Sequence, residues 1–157
     1  MITYSWEPGY DKFYTEAKDL IAAHWNEVGS HRDILTLRPR HDVYRRLEDN
    51  GALEILVARD SGKMIGYFFL LFSPHPRDVE VVIAQDDIIY ANPAYRREWV
   101  GYKLLKLAVS RATERGALLA SFHEKTSRKG GGYLKRLGFA PKEVVWTKVL
   151  AGAKNGV

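Results

Sequence analysis

The sequence contains no cysteine among its 157 residues. That absence excludes a disulfide framework, a thiolate nucleophile and a cysteine-based zinc site. The five histidines are scattered and lack the His-x-x-x-His spacing of a helical zinc site, so we expect no metal. No apolar run approaches the ~20 residues of a membrane-spanning helix, and the first residues lack the basic-then-apolar layout of a secretory signal. We therefore expect a cytoplasmic protein that does not enter a membrane.

Acidic residues are scarce in the second part of the chain. Residues 94–157 hold 14 Lys+Arg against 4 Asp+Glu, whereas residues 1–93 hold 10 against 15. A basic surface favours a phosphate-bearing ligand, and nucleic acid is one such ligand because Lys and Arg neutralise its backbone. No helix-turn-helix, zinc-finger or RNA-recognition pattern accompanies this charge, so nucleic-acid binding is the less favoured alternative.

Length and a hydrophobic content of 46% predict one globular domain, which we place at residues 1–150, followed by a frayed tail at 151–157. Local patterns predict the order β-α-α-β-β-β-α-β-α-β, an α/β fold with a mixed, mostly antiparallel sheet flanked by helices. The predicted strands are 1–7, 53–59, 64–72, 79–83 leading into 88–90, 118–123 and 144–150. The predicted helices are 13–28, 43–49 after an N-cap at Asp42, 100–112 and 133–137, and residues 73–76 and 124–132 are predicted connections.

The chain from Asp86 to Ala112 carries the most specific functional signal. Its apolar start predicts a buried strand, which Asn92-Pro93 ends because a residue before proline is pushed towards extended conformations. A helical stripe follows, at Val100, Leu104, Leu105, Ala108 and Ala112. The first amides of that helix lack internal partners and lie at the positive end of its dipole. The turn before it is therefore a candidate anion site, although an ordinary strand–helix connection with solvated arginines would have the same local pattern.

Within this stretch, PAYRREWVGYKLL resembles the acyl-CoA-binding motif of the GNAT superfamily of N-acyltransferases, Pro-x-x-Arg/Gln-x-x-Gly-x-Gly followed by an apolar helix. Pro93, Arg96 and Gly101 match that motif, whereas Trp99 stands where its first glycine is expected. YLKRLGF, at residues 133–139, resembles the family's late helix. The resemblance implies the GNAT fold over nearly the whole chain and transfer of an acetyl group from acetyl-CoA to a primary amine. The His-Trp pair late in the first predicted helix, the Pro-His-Pro loop and the Glu-x-x-Trp-x-Lys pattern of the last predicted strand also resemble GNAT-type proteins of bacteriophages. That resemblance would place the protein in a host cytoplasm.

The same resemblance implies roles for particular residues. The central strand and the turn after it would bind acetyl-CoA through Ile89, Tyr90, Ala91, Arg96, Arg97, Trp99, Val100, Gly101 and Tyr102. From the residues themselves, Asp87 (or its neighbour Asp86), just before the central strand, and His123, at the end of the strand after the motif helix, are candidate bases. The alternatives are an aspartate that caps a turn or pairs with an arginine, and a structural histidine. Tyr133 is a candidate acid, one position before the place where the family's tyrosine stands, which Leu134 occupies. Candidate contacts with the acceptor are His31, Arg32, Arg38, Arg40 and Tyr44.

Two other functions stay open at this point. A catalytically weak GNAT-fold protein would act as a binding or host-interaction module, and a basic nucleic-acid-binding domain is the third alternative. Acyl-CoA binding separates the first two from the third, and thioester turnover separates an enzyme from a binding module. The sequence leaves open the acceptor (a protein or a small molecule), the acyl chain length and the oligomeric state, a homodimer included.

Overall fold

The computed structural model describes residues 1–125 and 132–150. One sheet contains the strands β1 (Ile2–Trp6), β2 (Leu53–Asp60), β3 (Lys63–His75), β4 (Asp78–Ala91) and β5 (Leu119–Ser121). The strands lie in the order β1-β2-β3-β4-β5, all antiparallel except the β4–β5 pair. The helices are α1 (Tyr10–Val28), α2 (His41–Asp49), α3 (Val100–Glu114) and α4 (Gly132–Arg136), and a 3₁₀ helix (Pro93–Glu98) precedes α3. The predicted α/β architecture is confirmed.

The sheet separates two hydrophobic cores. On one face, α1 and α2 cover β2 and β3, and Phe13 lies 5.0 Å from Phe69 between ring centroids. On the other face, α3 buries the whole predicted stripe, with Leu104 and Ala108 fully inaccessible to solvent. The middle of β3 is buried on both faces, as its nearly continuous apolar sequence predicts.

Two local features of the sequence shape the ends of the strands. The β2–β3 hairpin turns through Ser61 and Gly62, which both have positive φ (49° and 86°), the backbone that a two-residue hairpin loop requires. Asn92 ends β4, and its Oδ1 accepts a 3.0 Å hydrogen bond from the Ala94 amide at the start of the 3₁₀ helix. The strand therefore runs directly into the turn that precedes α3.

Several boundaries differ from the prediction. The prediction of a loop at 73–76 is wrong for residues 73–75, because β3 continues to His75. Ser73 lies opposite Ile83, and Pro74 lies opposite Val82. The proline is tolerated because the register shifts immediately after it. Strand β4 is also continuous, β5 has three residues instead of six, and α2 has Arg40 as its N-cap with Asp42 in the first turn.

The predicted last strand is wrong. Residues 144–150 form neither strand nor helix, and Trp146 is 92% exposed. The segment has residues typical of a strand, but that propensity acts through pairing and burial, which the described structure does not provide there. The prediction of a glycine-rich connection falls mostly on residues 126–131, and the predicted tail is 151–157; both ranges lie outside the described residues.

Candidate active site

A bulge in β4 shapes the site. Phe68 pairs with Ile89 and Leu70 pairs with Asp86, so two residues of β4, Asp87 and Ile88, lie opposite a single residue of β3. Such a bulge bends its strand and increases the local twist. The bend begins where β4 stops pairing with β5, whose register with β4 ends at Gln85. The two parallel strands therefore separate beyond this residue and leave a gap in the sheet.

Part of the main chain of β4 faces this gap. The Asn92 amide donates to the Ile65 carbonyl of β3 at 2.8 Å, and Tyr90 pairs with Tyr67 of the same strand. Because main-chain groups alternate in direction along a strand, those of Ile89 and Ala91 point away from β3. Of the three residues of this strand that are predicted to bind acetyl-CoA, Ile89 and Ala91 therefore have main-chain donors and acceptors on the open edge of β4. The main-chain groups of Tyr90 point towards β3.

Asp86 and His123 meet at the point where the gap opens. One carboxylate oxygen, Oδ1 of Asp86, accepts a hydrogen bond of 2.8 Å from the His123 amide and contacts the His123 Nδ1 at 2.7 Å. The Asp86 side chain is only 7% exposed, whereas that of His123 is 65% exposed. An ionised carboxylate can only accept, so Nδ1 carries the proton and Nε2 presents a lone pair. This arrangement suits a general base.

Burial raises the pKa of Asp86 above its ordinary value, and the hydrogen bonds from His123 oppose that rise. A carboxyl whose pKa is higher in the folded state stabilises the fold at pH below its ordinary pKa, and this contribution is lost as the pH rises through the raised pKa. The ionised, buried Asp86 therefore lowers the free energy of unfolding at neutral pH relative to acidic pH.

Asp86→Asn removes this pH dependence, because its amide oxygen keeps the acceptor without the charge. We expect the free energy of unfolding of Asp86→Asn, minus that of the wild type, to increase as the pH rises from below ~4 to neutrality. Urea unfolding across this range measures the difference. A difference that shrinks with rising pH would mean that the pairing with His123 outweighs the cost of burial.

A cavity of about 810 Å³ lies beside this pair. One part of its wall comes from α1, α2 and β3, and another from α3 and α4, through Leu105, Tyr133 and Leu134. Since these helices lie on opposite faces of the sheet, the cavity reaches both faces through the gap between β4 and β5. Its size is that of a small-molecule site.

The predicted catalytic residues occupy different places around the cavity. Asp87, Tyr133 and His123 all line it. Asp87 is exposed and accepts a 2.7 Å hydrogen bond from the Tyr44 hydroxyl, so it is Asp86, and not Asp87, that pairs with the histidine. Of the predicted acceptor contacts, Arg38 and Tyr44 line the cavity, whereas His31, Arg32 and Arg40 do not.

The start of α3 has the features of an anion site. Its first amides, those of Val100, Gly101 and Tyr102, have no acceptor within the helix. The first turn contains no acidic residue, and a Cβ built on Gly101 would meet no atom within 4 Å. A phosphate group therefore has room to approach these amides at the positive end of the helix dipole.

Trp99 shows why the family motif has a glycine at its position. Its backbone is left-handed (φ 59°, ψ 23°), a conformation that costs a non-glycine residue about 1–2 kcal/mol. The indole lies among aromatic and basic neighbours, 5.7 Å from the Tyr133 ring, 6.0 Å from the Tyr102 ring and 5.3 Å from the Arg136 guanidinium. Trp99 thus joins the start of α3 to α4 and is one of the residues around Tyr133.

The two predicted arginines differ in their surroundings. Arg96 pairs with Glu27 of α1 at 2.6 Å, and Glu27 also accepts a 3.0 Å hydrogen bond from the Tyr90 hydroxyl. Arg97 is exposed next to the start of α3. Arg96 therefore also connects the turn before α3 to α1, in addition to the role in binding phosphate that the sequence predicts.

The sequence alone did not reveal that Asp86 orients His123. The two residues are 37 positions apart, and nothing in the local pattern distinguishes Asp86 from Asp87. The contact of His24 with the Tyr67 hydroxyl, at 2.7 Å on the cavity wall, was also missed. The nearly continuous apolar sequence of β3 predicts that Tyr67 is buried, as it is. That sequence does not identify His24 of α1 as the partner of its hydroxyl group.

Among the described residues, no three His, Cys, Asp or Glu side chains are grouped as metal ligands would be. None of the helices in the described part of the chain is long and apolar enough to span a membrane.

Comparisons with known proteins agree with this fold. The model of the Acetyltransferase (GNAT) family matches residues 15–139. An aminoglycoside acetyltransferase from an uncultured soil metagenomic sample, solved with trehalose, is similar in structure, with a TM-score of 0.73, 14% identity, and coverage of 95% of this chain and 96% of that chain. The ribosomal-protein-alanine N-acetyltransferase of Brucella melitensis biovar Abortus has a TM-score of 0.63, 18% identity, and coverage of 96% and 97%.

A glucosamine-6-phosphate N-acetyltransferase from Arabidopsis thaliana has a TM-score of 0.67, 12% identity, and coverage of 94% of this chain and 98% of that chain. At these identities the likeness to solved structures is one of fold. A comparison with curated proteins found no match.

Proposed function

The chain belongs to the GNAT acetyltransferase family, and we propose that it transfers an acetyl group from acetyl-CoA to a primary amine. The observation that carries this proposal is the Asp86–His123 pair at the opening of the β4–β5 gap, beside a cavity that reaches both faces of the sheet. Such a cavity lets a thioester enter from the α3 face and an amine from the α1 face. The two substrates then meet next to a base.

Three features, at the start of α3, in the charge of the chain and on the open edge of β4, support acetyl-CoA binding. The first amides of α3 and the open space at Gly101 suit its pyrophosphate. The exposed Arg97 and the basic second part of the chain suit its remaining phosphate charge. The outward-facing main chain of Ile89 and Ala91 suits the amides of the pantetheine arm and the thioester carbonyl.

The residues supply what acyl transfer needs. His123 Nε2 accepts a proton from the ammonium form of the acceptor, and the neutral nitrogen then attacks the thioester carbonyl carbon. A main-chain amide of Ile89 or Ala91 donates to the oxygen on which negative charge develops. The carbon–sulfur bond breaks, the thiolate takes up a proton, and the products are an amide and free coenzyme A. Asp86 holds the imidazole in the tautomer that this sequence of steps requires.

Tyr133 stays the candidate that protonates the thiolate. It lines the cavity from the α4 side, and its ring lies against Tyr102 and Trp99, at centroid distances of 5.6 and 5.7 Å. Cytoplasmic location, a bacteriophage origin and a homodimer stay predictions from the sequence.

Acetyl-CoA should stabilise the protein and lose its acetyl group to an amine. At a concentration of 100 times its dissociation constant it should raise the free energy of unfolding by roughly 2.7 kcal/mol, which a thermal-shift titration detects. Incubation with labelled acetyl-CoA and a set of amines, followed by measurement of free thiol and of labelled amide, tests turnover.

Two controls separate the alternatives. ATP at the same concentration tests whether any polyphosphate stabilises the basic surface equally, as a nucleic-acid-binding domain would predict. The absence of a thermal shift with millimolar acetyl-CoA and folded protein would refute the proposal. Binding without release of thiol, with every amine tested, would leave a binding module as the function.

A further inference from the structure

The acceptor side of the cavity is an aromatic wall. Seven aromatic side chains from α1, α2 and β3 line it: Tyr10, Phe13, Tyr14, Trp25, Tyr44, Tyr67 and Phe69. Their rings pack on one another, with Tyr10 4.9 Å from Tyr44 and Tyr44 5.5 Å from Phe69 between centroids. A ring-shaped apolar group therefore finds both flat and edge contacts on this wall.

Three of the four tyrosine hydroxyl groups of this wall already have partners within the protein. The Tyr10 hydroxyl contacts His41 Nδ1 at 3.0 Å, the Tyr67 hydroxyl contacts His24 Nδ1 at 2.7 Å, and the Tyr44 hydroxyl donates to Asp87 at 2.7 Å. The wall therefore offers few partners to a substrate rich in hydroxyl groups. Each hydroxyl buried there without a partner therefore weakens binding.

A carboxylate lies at the edge of this wall. Asp87 lines the cavity and is exposed, and the hydrogen bond from Tyr44 uses one of the several acceptor positions of its two oxygens. Asp86, the neighbouring carboxylate, is occupied by His123. An ammonium group can therefore bind Asp87 while tyrosine rings stabilise its charge from the side.

We infer that the acceptor is a primary amine on an apolar, ring-sized body, that is, a compound of the arylalkylamine class. The inference rests on the proposed function and names its substrate. The ring of the amine packs on Tyr44, and its ammonium group binds Asp87 before it passes a proton to His123 Nε2. The nitrogen then attacks the thioester carbonyl carbon, the carbon–sulfur bond breaks, and the leaving thiolate takes up the second proton that the nitrogen loses, which gives the amide and free coenzyme A.

A matched pair of amines tests the substrate class. Both 2-phenylethylamine and glucosamine carry one primary amine and a six-membered ring, but only glucosamine carries hydroxyl groups. With acetyl-CoA and the whole protein, we expect kcat/KM for 2-phenylethylamine to exceed that for glucosamine by ~100-fold, since a few unpaired hydroxyls account for that ratio. Release of free thiol measures both reactions.

Variants of the wall test which residues set the preference. Tyr44→Ser removes a ring from the wall and should lower the ratio of the two kcat/KM values at least tenfold, whereas Tyr44→Phe keeps the ring and the ratio. Because the ratio is measured on one protein preparation, partial loss of folded protein does not affect it. Asp87→Asn should raise the Michaelis constant for the aromatic amine about tenfold without changing the one for acetyl-CoA, and the exposed Asp78→Asn should change neither.

The outcomes separate this inference from the proposed function. If acetyl-CoA binds and glucosamine is acetylated as well as 2-phenylethylamine, or better, the inference is wrong and the proposed function stands. The inference is equally wrong if acetyl-CoA binds and neither amine is acetylated. If acetyl-CoA neither binds nor loses its acetyl group, the proposed function itself fails.

Discussion

Replacing His123 by alanine should lower kcat by about 100- to 10,000-fold, the range that a general base contributes. The imidazole is the exposed partner of a buried carboxylate at the edge of the cavity, and water alone would have to accept the proton of the amine in its place. Release of free thiol from acetyl-CoA measures kcat for both proteins.

The controls for this variant use other features of the chain. His75→Ala removes a histidine that does not line the cavity, and it should leave kcat unchanged. Added imidazole should restore part of the activity of His123→Ala, which a merely structural role for His123 would not allow. Asp86→Asn should lower kcat while it keeps the fold, because its amide oxygen still accepts from Nδ1 but, without a charge, no longer stabilises the imidazolium that forms when His123 takes up the proton. A His123→Ala variant within threefold of the wild-type kcat would exclude His123 as the base.

Gly101→Asp should weaken acetyl-CoA binding at least 100-fold, although the variant protein is more stable. The carboxylate would occupy the open space beside the first amides of α3 and would repel a phosphate there. In the absence of the ligand, the same charge interacts favourably with the helix dipole, and the substitution replaces a glycine within a helix. Together these effects should raise the free energy of unfolding by about 0.5–1 kcal/mol. Isothermal titration with acetyl-CoA and urea unfolding measure the two opposite changes.

Two matched substitutions separate bulk from charge. Gly101→Ala adds a methyl group without a charge and should weaken binding less than the aspartate does. Ser110→Asp adds the same charge on an exposed position of α3, away from its first turn, and should leave the affinity unchanged. Unchanged affinity in Gly101→Asp would place the phosphates elsewhere on the protein.

Local chemistry was enough to predict most of the secondary structure. The buried stripe of α3 follows from its helical spacing, and the β2–β3 hairpin follows from Ser61-Gly62. The end of β4 follows from Asn92-Pro93. These features depend on residues only a few positions apart, whose conformational preferences are present in any context. For the same reason the motif from Pro93 to Gly101 could indicate a family before any fold was known.

Tertiary structure decided the rest. The bulge at Asp87 and Ile88 exists only because β4 pairs with β3, and the choice of Asp86 as the partner of His123 follows from that bulge and from the end of β5. The predicted strand at 144–150 shows the converse case, since strand-forming residues remain exposed without a neighbouring strand. By itself the sequence determined the helices, the hairpin and the turn before α3, because each is stabilised by contacts between near neighbours in the chain. Only the folded sheet decided the Asp86–His123 pair and the cavity, because both depend on strands that are distant in sequence and meet through long-range pairing.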